Sequence, residues 1–192
     1  SLLKNYIAQK VPGKIPYLGI IHRLDQPVEG VLVFALNPKA AADLNRQMTT
    51  GKIKKVYLAI TEGHAQVKSA KLVNWLKKDS RTNSSAVVTE GTVGAKKAIL
   101  SYEVLKTWKS EEGVRDDGER NLVRIYLDTG RHHQIRVQMA YAGMPLVGDR
   151  KYNPCQNGRE PLALCSAKLG FWHPVTKKQM EFQVKPVGSA FL

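Results

Sequence analysis

The stretch Asn121-Leu-Val-Arg-Ile-Tyr-Leu-Asp128, Thr129-Gly130, Arg131-His-His-Gln-Ile-Arg-Val-Gln-Met-Ala-Tyr-Ala142 decides the reading of the fold. Its first part alternates. Leu122, Arg124, Tyr126 and Asp128 fall on one face and Val123, Ile125 and Leu127 on the other, as in a half-buried strand. From Arg131 the composition turns helical and runs to Gly143, a helix stop. Strand therefore passes to helix across the short Thr129-Gly130 link.

Outward from this stretch, strand signals dominate. Ala98 to Leu105 reads as a strand through Ile99, Tyr102 and Val104, and the acidic, turn-rich Glu111 to Glu119 reads as an exposed hairpin loop. Lys54 to Ile60 reads as a strand with Val56, Leu58 and Ile60 toward the core and Lys55, Tyr57 and Ala59 on the other face. Val31 to Leu36 reads as a buried strand, and Asn37-Pro38 supplies an N-cap and a first-turn proline for a helix through Ala40, Leu44 and Met48 that closes near Gly51. Leu2, Leu3, Tyr6 and Ile7 have the spacing of a short amphipathic helix ended by Pro12-Gly13. Gly63 to Gly94 carries a weak signal, read as short strands and a mobile basic loop. Pro145 to Tyr152 reads as a loop, and Leu162 to Trp172 with Gln179 to Lys185 as the arms of a last hairpin around His173-Pro174. The fold class is α+β.

The 192 residues suffice for one well-filled core, and a single domain over 1–192 is expected. With 30 Lys and Arg against 16 Asp and Glu, the formal charge of +14 draws the protein toward polyanions: RNA, DNA or an anionic membrane surface. No apolar run approaches the roughly 20 residues of a spanning helix, and Ser1 to Lys10 lacks the apolar centre of a signal peptide. A cytoplasmic protein without membrane association is expected. Cys155 and Cys165, outside any Cys-x-x-Cys or Cys/His cluster, are expected as reduced thiols. The chain opens on Ser1 rather than Met, so part of the gene product upstream is expected to be missing.

Chemistry concentrates in two places. In Ile21-His22-Arg23-Leu24-Asp25-Gln26-Pro27-Val28-Glu29-Gly30, a carboxylate lies between the apolar segments Leu18 to Ile21 and Val31 to Leu36, so it must face solvent or meet a cation. A solvated turn is the commoner fate of an Asp beside Pro and Gly; a nucleophile is the other reading. In Gly130-Arg131-His132-His133-Gln134-Ile135-Arg136, two guanidinium groups and two imidazoles crowd a predicted helix start, where cations oppose the dipole unless an anion occupies the site. The alternative is a solvated basic turn. Adjacent histidines on a helix diverge, and without His-x-x-x-His or Glu-x-x-His spacing no metal site is expected. Tyr57 is either an ordinary amphipathic-strand tyrosine or a flat surface for an extruded base.

Taken jointly, His22-Arg23-Leu24-Asp25 with Gly30, Lys55-x-Tyr57-x-Ala59, Gly130-Arg131-x-His133-Gln134-Ile135-Arg136, and Gly143-x-Pro145-x-x-Gly148-Asp149-x-x-Tyr152 closely resemble the RluA-type pseudouridine synthase family in order and spacing. A weaker match follows at Leu169-x-Phe171-x-His173-Pro174. The resemblance implies a catalytic domain on a mixed, mostly antiparallel sheet with flanking helices, and a monomer that isomerises uridine to pseudouridine in structured RNA without metal or cofactor. Ribosomal RNA is expected ahead of transfer RNA. It also implies roles. Asp25 attacks the nucleotide at the ribose C1′, Tyr57 stacks on the flipped base and helps remove the C5 proton, and Arg136 pairs with Asp25. Arg23 enters the stack in place of the extruded base. Arg131, His133 and Gln134 support the site or nearby phosphates, and His22 and Ile135 count among the RNA-binding residues.

The chain departs from the family pattern at Val28-Glu29, where Thr-Ser is usual before the glycine, and at Gln138, where histidine is common. Glu29 is expected to add negative charge near an RNA surface. The competing function is a basic, ribosome-associated RNA-binding protein with a decayed active site, against which stands the joint presence of Asp25, Tyr57 and Arg136. A hydrolase with paired carboxylates is disfavoured because Asp25 has no acidic partner evident in the sequence.

Overall fold

A computed structural model of the chain describes residues 2–10, 17–109, 118–155 and 160–191. Its elements begin with α1 (Leu2–Lys10), β1 (Gly19–Ile20), β2 (Glu29–Gly30), β3 (Phe34–Ala35) and α2 (Pro38–Thr49). Then come β4 (Lys54–Glu62), β5 (Ser69–Asp79), β6 (Ser84–Val88), β7 (Lys96–Lys109), β8 (Glu119–Leu127) and α3 (Gln134–Tyr141). β9 (Leu164–Trp172) and β10 (Gln179–Gln183) finish the sheet before a short 3-10 turn, Ser189–Phe191.

The main sheet runs β10-β9-β4-β8-β7-β5-β6 with every neighbouring pair antiparallel, and β2 adds parallel to β9. It is therefore mixed and mostly antiparallel, as the resemblance implies. β1 and β3 make a separate two-stranded ribbon. The alternation predicted for Asn121 to Asp128 holds in β8, where Val123 and Ile125 are buried and Arg124 and Tyr126 face the other way. Tyr57 and Ala59 of β4 lie opposite Ile125 and Val123, and with Leu100, Tyr102 and Leu164 they make one face of the main core. α3 closes that face with Ile135 and Met139. α2 packs a second cluster, Ala41 and Leu44 against Ile21, Ala35, Ile53, Leu169 and Phe171. Its N-cap forms as predicted: Asn37 Oδ1 accepts from the Ala40 N–H at 2.8 Å, and the chain leaves the helix through Gly51 at φ +69°.

Several expectations are corrected. The strand expected over Val31 to Leu36 shrinks to Phe34–Ala35, because its neighbours serve a loop that returns to β9, and Leu36 is exposed. The weak segment Gly63 to Gly94 holds an 11-residue strand, β5, whose own Lys71, Lys77 and Lys78 mask its alternation. The helix predicted from Arg131 starts only at Gln134, since His133 adopts a left-handed backbone with φ 52°. The faces of β4 are reversed over most of the strand: Tyr57 and Ala59 face the main core, while Val56 and Leu58 line an open groove on the back of the sheet. Only Ile60 is buried as expected, in a separate cluster with Val147 and Ala163. Alternation fixes which residues share a face and leaves open which face the helix covers. β7 and the last hairpin stand as read; the N-terminal helix forms, but Leu3 and Tyr6 of its expected apolar face are exposed. The Pro12-Gly13 stop and most of the acidic hairpin loop lie outside the described residues.

Candidate active site

The Asp25 loop is tied at both ends. β1 pairs with β3, β2 pairs with β9, and between them the Asp25 carbonyl accepts from the Val28 N–H at 2.7 Å. Leu24 and Val28 pack into the main core on either side of the carboxylate. Gly30 closes the loop at φ +131°, and a Cβ there would overlap the Ser166 carbonyl oxygen, so only glycine allows this approach to β9. The Asp25 side chain keeps 35% of its surface exposed.

Beneath it lies Arg136, 8% exposed, on the buried face of α3. Its fork is taken by Asp149: Nε donates to Oδ2 at 2.8 Å and Nη2 to Oδ1 at 2.7 Å. Asp25 Oδ2 stands 3.9 Å from Nη1, so the expected ion pair with Asp25 is the looser of two. Burial works against the Arg136 charge, and Asp149 more than offsets it, raising the pKa. Asp149 Oδ1 also accepts from the N–H groups of Lys151 and Tyr152. The carboxylate thus folds the turn that brings Tyr152 over Arg136, with the guanidinium 5.1 Å from the ring centre.

The two histidines do not diverge. Because they precede α3, their rings stack with centroids 3.8 Å apart. His133 Nε2 faces Asp25 Oδ2 at 3.8 Å, and its Nδ1 meets the Tyr152 hydroxyl at 2.7 Å. Burial, then Arg136, lowers the His133 pKa to about 4. Burial and Lys78 lower that of His132.

The remaining predicted residues divide into framework and rim. Gln134 pins the Thr129–Arg131 turn, its Oε1 accepting from Thr129 Oγ1 and the Arg131 N–H while Nε2 donates to the Ile99 carbonyl. Ile135 is a core residue that also lines the cleft. His22 Nε2 accepts from the Val33 N–H at 3.3 Å, and burial, then Lys55, lowers its pKa to about 4. Its first task is to hold the loop. Tyr57 sits at a register shift between β4 and β9, is 7% exposed, and has a phenol pKa raised by burial. Arg131 and Arg23 are exposed.

These side chains meet where two clefts join. The first, about 840 Å³, is lined by His22, Lys55, Tyr57, Asp128 and Thr129 to Arg136. The second, about 1100 Å³, is lined by Lys78, Asn83, Arg150, Lys151 and Pro161. Arg23, Asp25, His132, His133 and Arg136 line both. Among the described residues, no three His, Cys, Asp or Glu side chains gather as a metal site.

The family model described as RNA pseudouridylate synthase matches residues 4–141. The chain belongs to this family. It is 33% identical over 169 residues to "Uncharacterized RNA pseudouridine synthase YlyB" of Bacillus subtilis, covering 86% of this chain and 51% of the relative. It is 30% identical over 186 residues to "Dual-specificity RNA pseudouridine synthase RluA" of Pasteurella multocida, covering 92% and 77%. The pseudouridine synthase relatives of RluA type place it in that branch of the family. It spans about half the length of several curated relatives. Among solved structures, "Human RNA Pseudouridylate Synthase Domain Containing 1" superposes with TM-score 0.75 at 25% identity, covering 96% of this chain and 74% of that one. The domain is thus of the pseudouridylate synthase fold.

Three residues that contact this cluster have no role in the sequence reading: Asp149, Tyr152 and Ser85. Asp149 and Tyr152 belong to the fourth motif. A rule of charge pairing would have found Asp149, since an arginine on a wholly buried helix start needs a carboxylate. Ser85 lay in the segment of weak signal. The family departure at Glu29 has its own explanation: the carboxylate turns from the clefts and accepts from the N–H groups of Val187 and Gly188 at 3.2 and 3.1 Å, anchoring the C-terminal segment. The expected negative charge on an RNA surface is thereby satisfied within the fold. Gln138 is fully buried and donates to Asn74 Oδ1 at 2.7 Å, tying α3 to β5.

Proposed function

We propose that this chain is the catalytic part of an RNA pseudouridine synthase acting on uridine in structured RNA, with Asp25 as the nucleophile. The observation that carries the reading is the setting of Asp25: a partly exposed carboxylate at the junction of two clefts, over an arginine whose charge is already engaged by Asp149. Such a carboxylate is held in place without being consumed by its partner.

In this reading a uridine turns out of its helix into the first cleft, and Arg23, at the mouth of both clefts, fills the vacated stack. An Asp25 oxygen attacks C1′ as the C1′–N1 bond breaks with its electron pair on the uracil. The uracil turns, C5 attacks C1′, and the carboxylate leaves with the pair of the Asp–C1′ bond. C5 then loses its proton and N1 gains one, so the isomerisation is redox-neutral. Tyr57 supports the base by contact. Its raised pKa keeps the phenol protonated at neutral pH, so removal of the C5 proton is not assigned to it. The +14 charge supports an RNA partner through phosphate attraction. Ribosomal RNA is the first target and transfer RNA the second; relatives carry names of both kinds, "Ribosomal large subunit pseudouridine synthase D" and "tRNA pseudouridine synthase C".

The test is pseudouridine formation on unmodified ribosomal and transfer RNA transcripts by wild type and Asp25→Ala. Wild type should convert a defined uridine and the variant should bind the same RNA without converting it. RNA binding by wild type with no conversion on any transcript would favour the binding protein with a decayed site.

A further inference from the structure

The stacked histidines beside Asp25 are wired to β6 by a set of hydrogen bonds whose direction can be worked out. The Ser85 N–H donates to the Tyr152 hydroxyl oxygen at 2.9 Å. That oxygen also lies 2.7 Å from His133 Nδ1. A backbone N–H can only donate, so the phenol oxygen accepts there, and its own proton is free to go to Nδ1. Were Nδ1 to carry a proton instead, the phenol oxygen would receive two donors and the Nε2 lone pair would face the Asp25 carboxylate. With Nδ1 as acceptor, the ring proton sits on Nε2, the nitrogen that lies 3.8 Å from Asp25 Oδ2. Both ends of the ring select the same tautomer.

Ser85 of β6 and Asn83, just before that strand, treat His132 alike. Ser85 Oγ lies 2.9 Å from His132 Nδ1 and Asn83 Oδ1 lies 3.2 Å from its Nε2. The amide oxygen accepts, so Nε2 donates and Nδ1 takes the serine proton. Two neutral rings can then stack at 3.8 Å, whereas two imidazolium rings would repel. Around them, Arg136 and Lys78 disfavour a proton, as does the smaller effect of Lys151, while Asp25 and Asp149 favour one.

We propose that Ser85 and Tyr152 fix His132 and His133 as neutral imidazoles with the proton on Nε2, and that His133 thereby serves as an uncharged positioning donor to the Asp25 carboxylate. The catalytic consequence rests on the reading of Asp25 as nucleophile; the tautomer does not. A neutral donor orients the carboxylate without adding a positive charge that would blunt its attack. The 3.8 Å separation is longer than a formed hydrogen bond, and in unliganded sites such bonds tighten in the complex.

The experiment uses the full chain labelled with ¹⁵N at histidine, and long-range ¹H–¹⁵N spectra from pH 5 to 8. His132 and His133 should both show the neutral Nε2–H pattern at neutral pH. Tyr152→Phe keeps the ring packing and removes the donor to Nδ1, so His133 should lose its tautomer preference and titrate closer to pH 6.5. On target RNA the variant should lose roughly 10- to 100-fold in kcat, the range of one hydrogen bond to a charged group, with KM and RNA affinity held and the acid limb of the rate profile moved upward. His133→Gln, whose amide N–H reaches the place of Nε2, should recover most of the rate that His133→Leu loses. An Nδ1–H or charged His133 in the wild type at neutral pH overturns the proposal, as does an unmoved tautomer in Tyr152→Phe. Should that variant not fold, the wild-type spectrum decides. Absence of synthase activity would sink the nucleophile reading and leave the tautomer assignment to stand or fall on the spectra.

Discussion

Asp25 and Asp149 approach the same arginine from different loops, and their surroundings are opposite. Asp149 is fully buried, grips Arg136 with both oxygens and accepts two backbone N–H groups besides. Asp25 is 35% exposed, stands 3.9 Å from Arg136 and 3.8 Å from His133, and opens on two clefts. One carboxylate accepts four hydrogen bonds and the other, among the described residues, has only two longer contacts. The difference teaches that Asp149 supplies the charge that lets an arginine stay buried, so that Asp25 is not needed for that task; the proposed nucleophile role of Asp25 builds on this division.

The sharpest way to break this contrast is to remove each acid in turn. Asp149→Ala strands a buried guanidinium and should cost about 3–5 kcal/mol, read as a large fall in the urea midpoint. Asp25→Ala should stay within about 0.5 kcal/mol of wild type, as a partly exposed side chain without a close partner does. Equal losses would dissolve the distinction.

The glycines that seat the two loops give the next test. A Cβ at Gly148 would overlap the Pro161 carbonyl oxygen and one at Gly30 that of Ser166, both at positive φ. Gly148→Ala and Gly30→Ala should each cost about 1–3 kcal/mol in denaturant melts. Gly30→Ala should lose more activity than its stability change explains, because it lifts the Asp25 loop off β9.

Acid should loosen the Asp25 side first. His22 and His133 titrate near pH 4 in the folded chain and near 6.5 when unfolded, so between those values the unfolded state binds more protons. The stability they lend is whole above about pH 6.5 and is lost as pH falls toward 4. Melting temperature should therefore drop from pH 7 to pH 5, and His22→Gln, which can still accept from the Val33 N–H, should flatten that drop. A melt independent of pH over this range would contradict the neutral histidines. The smallest effect concerns the clefts. Arg23→Ala and Lys78→Ala should each reduce the slope of log affinity against log salt by about one, and an unchanged slope would remove that side chain from the RNA path.

Much of this was legible in the chain because it depends on local periodicity or on adjacent residues. The alternation of β8, the Asn37-Pro38 start of α2 and the final hairpin all rest on neighbours in sequence. What stayed hidden depends on partners far along the chain. Asp149 meets Arg136 only because the turn after α3 folds back, and Ser85 meets Tyr152 and His132 across β6. The reversed faces of β4 have the same origin, since the choice of face belongs to the helix that covers it. The left-handed His133 broke the predicted helix early and stacked two rings that a continuous helix would have splayed. The motifs single out Asp25, Tyr57, Arg136 and Arg23 together, and all four line the joined clefts.

The most direct test compares wild type, Asp25→Asn and Asp149→Asn in single-turnover pseudouridine formation on the target transcript, with the urea midpoint of each measured alongside. Asp25→Asn should match wild type in stability and RNA binding and form no pseudouridine, while Asp149→Asn should lose stability and turnover together. Turnover by Asp25→Asn at the wild-type rate would contradict the account.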